Sequence, residues 1–317
     1  MTNPQEETII PNWTAIVVFD IDGVVRDVSG SYRRALADTV EHFTGGAYRP
    51  SPVEIDQLKS EGIWNNDWEA SQELVYRYFE AQSQLLRAAK GSSAVPDGST
   101  SITRSALLSR GEAKGERSVR LSAHAEVSAT RSPISLDYDT LVAFFQSRYR
   151  GPDSENWTGY ICTEPLLLQP SYLEALTTAR IPWGFFSGAT RGSANYILER
   201  RLGLQTPVLI AMEDAPGKPD PTGLLATVDQ LEQRYQIDIE VPVIYVGDTV
   251  ADMYTVQKAR ILQSGRSWIG VGVLPPHVQE TSERRDAYQE TLKAAGAAVV
   301  FTNVEQLTPQ QIQQLVS

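Results

Sequence analysis

A chain of 317 residues is long enough for one large domain or two moderate ones with a real core, and its formal net charge of −11 disfavours nonspecific binding to nucleic acid or to anionic membrane surfaces. The single cysteine, Cys162, excludes an intrachain disulfide and a cysteine zinc site, and three scattered histidines (His42, His124, His277) offer no Cys/His metal cluster. The opening MTNPQEETIIPNW has neither a basic start nor an apolar stretch, and no apolar run approaches the roughly 18 residues a membrane span needs, so a cytoplasmic location is expected.

The first element is the run IVVF at Ile16 to Phe19, continuous rather than alternating, which suits a strand covered on both faces of a parallel sheet. It runs straight into Asp20-Ile21-Asp22-Gly23. Side chains two apart on a strand point the same way, so both carboxylates can reach one pocket, where a cation or a retained proton must offset their repulsion. The same residues also serve as an ordinary solvated turn. Helical periodicity follows over Ser31 to Phe43, Pro52 to Glu61, Asp67 to Lys90 and 137 to 149, with no convincing strand between Asp27 and about Gly159. Within this helical block, residues 91 to 133 lack aromatics and are rich in Ser, Ala, Arg and Gly, a composition that predicts a mobile loop with at most a short helix near Thr103 to Leu108.

From Gly159 onward strands and helices alternate. Strands are predicted at Trp183 to Phe186, Val208 to Ala211, Val243 to Val246, Trp268 to Val271 and Ala298 to Phe301. Helices are predicted between them at Tyr172 to Ala179, Ser193 to Leu202, Thr222 to Gln236, Ala251 to Gln263 and Glu283 to Ala295. That rhythm predicts an α/β fold, a doubly wound parallel sheet of Rossmann-like type, with the 16 to 20 strand belonging to it and the helical block inserted.

Three further strand ends carry chemistry. Ser187-Gly188 precedes a helix whose backbone N–H groups suit an anion, though serine and glycine serve plain turns equally. Lys218, between Gly217 and Pro219, offers a fixed ammonium to a phosphate or is simply solvated. VIYVGDTVADM, residues 243 to 253, repeats the opening pattern, and a helix starting near Thr249 turns Asp248 and Asp252 back toward the strand end. Oxygen-only ligands of this kind suit Mg²⁺ rather than zinc or copper.

An acid pair, a Ser, a Lys and a second acid pair, at four successive strand ends, resemble the haloacid dehalogenase (HAD) superfamily, whose four motifs are DxDG, Ser/Thr, Lys and GDxxxD. The resemblance covers residues 14 to 27 and 159 to 317 as an α/β core. Residues 28 to 158 resemble the mainly helical cap that one subfamily, IA, inserts after the first motif, a layout shared by phosphoglycolate phosphatases and β-phosphoglucomutases. SYRRALADTVEHFTGG and LKSEGIWNNDWE point to a branch in which some relatives are joined to an imidazoleglycerol-phosphate dehydratase domain. Carried over, the resemblance makes Asp20 the nucleophile that becomes an aspartyl phosphate, and Asp22 the acid and then the base. It makes Ser187, Gly188 and Lys218 the phosphoryl binders. Mg²⁺ would be held by the Asp20 carboxylate, the Asp22 backbone carbonyl and Asp248, with Asp252 either supporting the metal or orienting Lys218. An acid at Asp22 implies a leaving alkoxide that needs a proton, which favours a phosphatase or phosphomutase over a dehalogenase. Mg²⁺-dependent hydrolysis of a small phosphorylated metabolite is thus expected, with a sugar phosphomutase or a non-catalytic phosphate-binding or phosphoacceptor protein as alternatives. No obligate protein partner is evident. For the rest of the substrate the cap offers Tyr32, Arg33, Lys59, Asn65, Asn66 and Asp67; Arg33 or Lys59 facing the pocket would favour an acidic substrate. Asn66 and Asp67 alone would favour a sugar or polyol, unless they merely start a helix.

Overall fold

The IVVF run forms strand β1, Ile16–Phe19, with all four residues buried, in a computed structural model that describes residues 13–64, 66–91, 136–237 and 240–317. Alternation sends its side chains to two different cores. Val17 and Phe19 pack with Phe185, Ile244 and Val246 on one face, while Ile16 and Val18 pack with Phe186, Val243 and Tyr245 on the other. Burial on both faces explains why the run is apolar throughout rather than alternating.

The remaining strands are β2 (Trp183–Phe186), β3 (Leu209–Ile210), β4 (Val243–Gly247), β5 (Trp268–Val273) and β6 (Val299–Phe301). They join β1 in a six-stranded sheet of order β3-β2-β1-β4-β5-β6 in which every pairing is parallel. The chain winds outward from β1 to β3, then returns beside β1 as β4 and winds out the other way. This reversal separates the loops after β1 and β4 and opens a crevice at the carboxyl ends of the strands. Edge strand β3 is shorter than the predicted Val208 to Ala211 because only Phe185 and Phe186 of β2 pair with it. Strand β5 is longer than predicted because β6 pairs with Val271 to Val273.

Four helices lie between β1 and β2: α1 (Tyr32–Phe43), α2 (Pro52–Ser60), α3 (Asp67–Gly91) and α4 (Tyr138–Tyr149). No strand occurs there among the described residues. The start of α2 is set by a capping box, in which the Glu54 carboxylate accepts the Ser51 N–H at 2.7 Å and the Ser51 hydroxyl accepts the Glu54 N–H at 3.3 Å. Of the loop predicted over residues 91 to 133, Gly91 is instead the last residue of α3, and residues 92 to 133 with the short helix, like Asn65, lie outside the described residues.

Helix α5 (Pro170–Thr178) and the α-helix Arg191–Asn195, which continues as a π-helix over Tyr196–Arg201 and together with it forms α6, cover the first sheet face. Helices α7 (Thr222–Tyr235) and α8 (Val250–Leu262) cover the other, and α9 (Ser282–Ala294) buries Leu292 beside Leu274 and Val278. A terminal helix, α10 (Pro309–Val316), has no counterpart among the predicted elements. It is two turns long and buries only Ile312 fully, too short a stripe to stand out as a periodic pattern, although Thr308 caps it by accepting the Gln311 N–H.

The inserted helices are tied to the sheet layer through Asp56 of α2. Its carboxylate receives Arg33 of α1 and Arg284 of α9, and His277 Nε2 stands 3.5 Å away. Burial alone would raise this carboxyl, but His277, Arg33 and Arg284 outweigh it and hold it at about 2, below the ordinary 3.8. A depressed carboxylate contributes stability above its ordinary pKa that is lost as pH falls toward the folded value. Asp56→Asn is therefore expected to lower Tm at neutral pH. The gap from the parent should close between about pH 4 and pH 2, where the parent also loses this carboxylate. A gap unchanged across that range in thermal melts would show that the tie contributes through packing alone.

Candidate active site

Asp20, Ser187 and Asp248 each sit one residue beyond the ends of β1, β2 and β4, three adjacent strands. Ladder hydrogen bonds continue into the site: the Asp20 N–H reaches Val246 O at 2.8 Å and the Ser187 N–H reaches Ile210 O at 3.0 Å. All three side chains stand on the rigid sheet rim. Lys218 arrives from the connection between β3 and α7 and is almost completely buried.

Lys218 is the hub. Its ammonium lies 2.8 Å from Asp20 Oδ1 and 2.7 Å from Asp252 Oδ1, with the rings of Phe186 and Tyr245 5.3 and 5.4 Å from it. Burial works against its charge, but the two carboxylates prevail and raise its pKa above the ordinary lysine value. Asp20 Oδ1 also accepts the Ile21 N–H at 2.7 Å, so one oxygen of this carboxylate is pinned twice. Among the described residues no donor reaches Oδ2. Burial, partly offset by Lys218 and reinforced by Asp252 and Asp22, pushes the Asp20 carboxyl up to about 7.

Both oxygens of Asp252 are engaged. Oδ1 takes Lys218 and the Tyr245 hydroxyl (3.0 Å), and Oδ2 takes the Thr249 N–H (2.9 Å) and hydroxyl (2.6 Å). The Thr249 contacts are the capping box that starts α8, since the Asp252 N–H returns to Thr249 Oγ1. Four donors use the four lone-pair positions of a carboxylate. Of the two roles open to Asp252, the structure shows it holding the lysine.

Asp248 is the opposite case: buried, with no hydrogen-bond donor on its carboxylate among the described residues. Burial, then its neighbours Asp252 and Asp20, pushes its carboxyl well above the ordinary range. One oxygen each from Asp20, Asp248 and Asp252 lies within 4.8 Å of the others. Gly23, with φ of 75°, lets the loop after β1 pass here, because a Cβ would fall 2.0 Å from Asp248 Oδ2. An uncompensated buried carboxylate beside a second carboxylate with one open oxygen fits a hard divalent cation.

Asp22 turns away from Lys218. Its Oδ1 accepts Arg26 Nε at 2.6 Å, its Oδ2 has no donor among the described residues, and its side chain is 28% exposed. The Ser187 hydroxyl accepts the Ala189 N–H at 3.1 Å, which shapes the turn containing Gly188. The residues expected to read the substrate have partners within the protein. Arg33 is bound to Asp56, Asp67 pairs with Lys59 at 2.9 Å, and the Asn66 side chain accepts the Trp68 N–H at 2.9 Å as α3 begins. Asn66 therefore has the helix-starting role, and α3 begins at Asp67. The hydroxyl of Tyr245 and the hold of Thr249 on Asp252 were not foreseen from the sequence. Thr249 was within reach of it, since T-x-x-D just before an apolar helix is a capping-box pattern.

A family model described as a haloacid dehalogenase-like hydrolase matches residues 14–260. The chain belongs to the haloacid dehalogenase-like hydrolases. The order of its motif residues and the helical insertion directly after the first of them fit subfamily IA. A curated relative from Phytophthora nicotianae, an imidazoleglycerol-phosphate dehydratase, is 26% identical over 292 residues, 90% of this chain. The chain spans half the length of that relative. Among solved structures, a phosphonoacetaldehyde hydrolase-like protein from Oleispira antarctica superposes with a TM-score of 0.54 at 14% identity, covering 96% of this chain and 94% of that one. Phosphatase Tt82 from Thermococcus thioreducens gives 0.52 at 20% identity, covering 86% and 98%. At such identities these two establish a shared fold. No helix among the described residues is long and apolar enough to cross a membrane.

Proposed function

We propose that this hydrolase is a Mg²⁺-dependent phosphomonoesterase that transfers a phosphoryl group to Asp20 and then to water. The observation that carries this reading is the asymmetry of the Asp20 carboxylate, with Oδ1 pinned by Lys218 and the Ile21 N–H, Oδ2 without a donor among the described residues, and Asp248 in the same acidic group. A carboxylate held this way is an oriented nucleophile. Asp20, Asp248 and the Asp22 backbone carbonyl would hold the metal, which supplies positive charge against the phosphoryl oxygens. Ser187 and the turn at Gly188 bind the phosphoryl group from the β2 side, and Lys218 faces it with an ammonium kept charged and fixed by Asp252. Asp22, with Oδ2 free, donates the proton to the leaving oxygen and later takes one from water. Residues 28–158 act as the cap that excludes water and reads the remainder of the substrate.

The seam between these helices and the sheet layer holds a cleft of about 560 Å³ whose lining includes Arg33, Arg34, Arg49, His277, Asp27 and Glu280. Arg33 is held by Asp56 and Arg49 by Asp38 and Glu41, while Arg34 makes no ion pair among the described residues and is the cation there open to a second acidic group on the substrate. The dehydratase relative adds imidazole-bearing and polyol phosphate monoesters to the panel worth assaying. A β-phosphoglucomutase-like reading uses the same groups and differs in returning the phosphoryl group to a second hydroxyl.

A phosphate-release screen over such a panel is expected to show activity with Mg²⁺, loss in chelator and recovery on adding Mg²⁺ back. Asp248→Ala should weaken the metal response by at least about 10²-fold in the Mg²⁺ needed for half-maximal rate, because it removes the carboxylate that has no other partner. Full turnover in chelator would overturn the metal role, and rescue by zinc alone would contradict an all-oxygen site. Release of isomerised sugar phosphate without free phosphate would turn the reading to the mutase.

A further inference from the structure

Among the described residues the largest fully buried side chain is a charged one, Arg26. It stands four residues after Asp22, where the turn closes on itself through the Gly23 N–H to Arg26 O (2.9 Å) and the Arg26 N–H to Ile21 O (3.2 Å). Its guanidinium reaches in two directions. Nε donates to Asp22 Oδ1 at 2.6 Å, and Nη2 lies 2.5 Å from the same oxygen. Nη1 donates to the Tyr149 hydroxyl at 2.5 Å and to Glu164 Oε2 at 2.9 Å, while the other Glu164 oxygen accepts the Ser31 hydroxyl. The rings of Tyr32 and Tyr149 flank the guanidinium at 5.5 and 5.8 Å.

These partners mark the two places where the chain passes between the layers. Ser31 and Tyr32 begin α1 on the way out, and Tyr149 ends α4 and Glu164 follows it on the way back. A solvent-free guanidinium is costly unless every side of it is compensated, and a planar fork can serve several acceptors at once where an ammonium cannot. We propose that Arg26 is the positioning residue for Asp22, fixing the acid by one oxygen and tying its place to both passages into the cap. This rests on the reading of Asp22 as the acid. Both contacts fall on Oδ1, so Oδ2, with no donor among the described residues, is left to carry the proton, and the Asp22 side chain is 28% exposed. Among the described residues Arg26 is the group that holds the Asp22 carboxylate in one rotamer.

A leaving group of high basicity needs the proton, and one of low basicity does not. The test is the Mg²⁺-loaded enzyme and its Arg26→Met, Arg26→Lys and Asp22→Asn variants, read by first-turnover release of alcohol from 2,4-dinitrophenyl, phenyl and alkyl phosphates. Arg26→Met should lose at least about 30-fold on the alkyl ester and under about threefold on the dinitrophenyl ester, within the range that general acids supply. Asp22→Asn should show the same graded loss, and adding Arg26→Met to it should cost the alkyl ester nothing further, because the two act as one unit. If Arg26→Met does not fold, Arg26→Lys decides: it keeps the charge and should still give a graded loss, since one ammonium cannot span Asp22, Tyr149 and Glu164. Equal losses on all three esters, or an alkyl rate unchanged or increased, would overturn the proposal while Asp22→Asn still grades. A flat Asp22→Asn profile would instead overturn the acid reading, and this proposal with it.

Discussion

Asp20→Asn is expected to lower kcat by at least about 10³-fold, some 4 kcal/mol of barrier, since an amide cannot accept the phosphoryl group. The substitution keeps shape and leaves Lys218 its contact with Asp252, so the fold should survive. Stability should even improve in a direction fixed by linkage. Burial raises the Asp20 carboxyl from 3.8 to about 7, so between those values the folded protein holds a proton that the unfolded chain has released. In chelator, parent stability therefore falls as pH rises through this window, and the asparagine variant lacks that loss. Melts at pH 5 and pH 8 should show Asp20→Asn gaining on the parent at the higher pH. A variant keeping more than about a tenth of the parental rate would end the covalent mechanism, because loss of a nucleophile costs several kcal/mol. A flat stability difference would mean that Asp20 is ionised at no cost.

The parts of this site that were legible in the sequence are those dictated by backbone order. A strand buried on both faces writes itself as an unbroken apolar run, and an acid directly after it must stand at the sheet rim; Asp20 and Asp248 follow from that alone. The doubly wound sheet is legible for the same reason. What stayed hidden depends on residues far apart in the chain. Nothing local marks Arg26, Tyr149 and Glu164 as neighbours, because they are separated by 123 and 138 positions. Tyr245 reads as one more apolar strand residue until its hydroxyl is seen on Asp252. The polar residues at helix starts have local partners that the sequence does not separate from a ligand role. Lys59 pairs with Asp67, and the Asn66 side chain accepts the Trp68 N–H at the start of its own helix.

Lys218→Met should produce the other large effect, and it separates structure from chemistry. Among the described residues Lys218 is the cation in contact with Asp20 and Asp252, and Asp248 lies within the same acidic group. Removing one partner of a buried ion pair leaves the other charge unpaired, which typically costs about 3–5 kcal/mol. Here two carboxylates lose their partner at once, while methionine fills the space between the Phe186 and Tyr245 rings without strain. In chelator the variant should melt well below the parent, with the gap narrowing as pH falls and the Asp20 carboxyl, already raised by burial, takes its proton. Adding Mg²⁺ should then raise the Tm of the variant more than that of the parent, because the ion takes over neutralisation that the lysine otherwise supplies. Activity should not return with stability: the fixed ammonium facing the phosphoryl group is gone, and kcat should stay at least about 10²-fold low even in saturating Mg²⁺. A variant that melts with the parent in chelator would show that the acids are already neutral, each holding a proton. One that regains full turnover with Mg²⁺ would reduce Lys218 to a structural counterion, and the phosphoryl contact would then pass to Ser187 and the turn at Gly188.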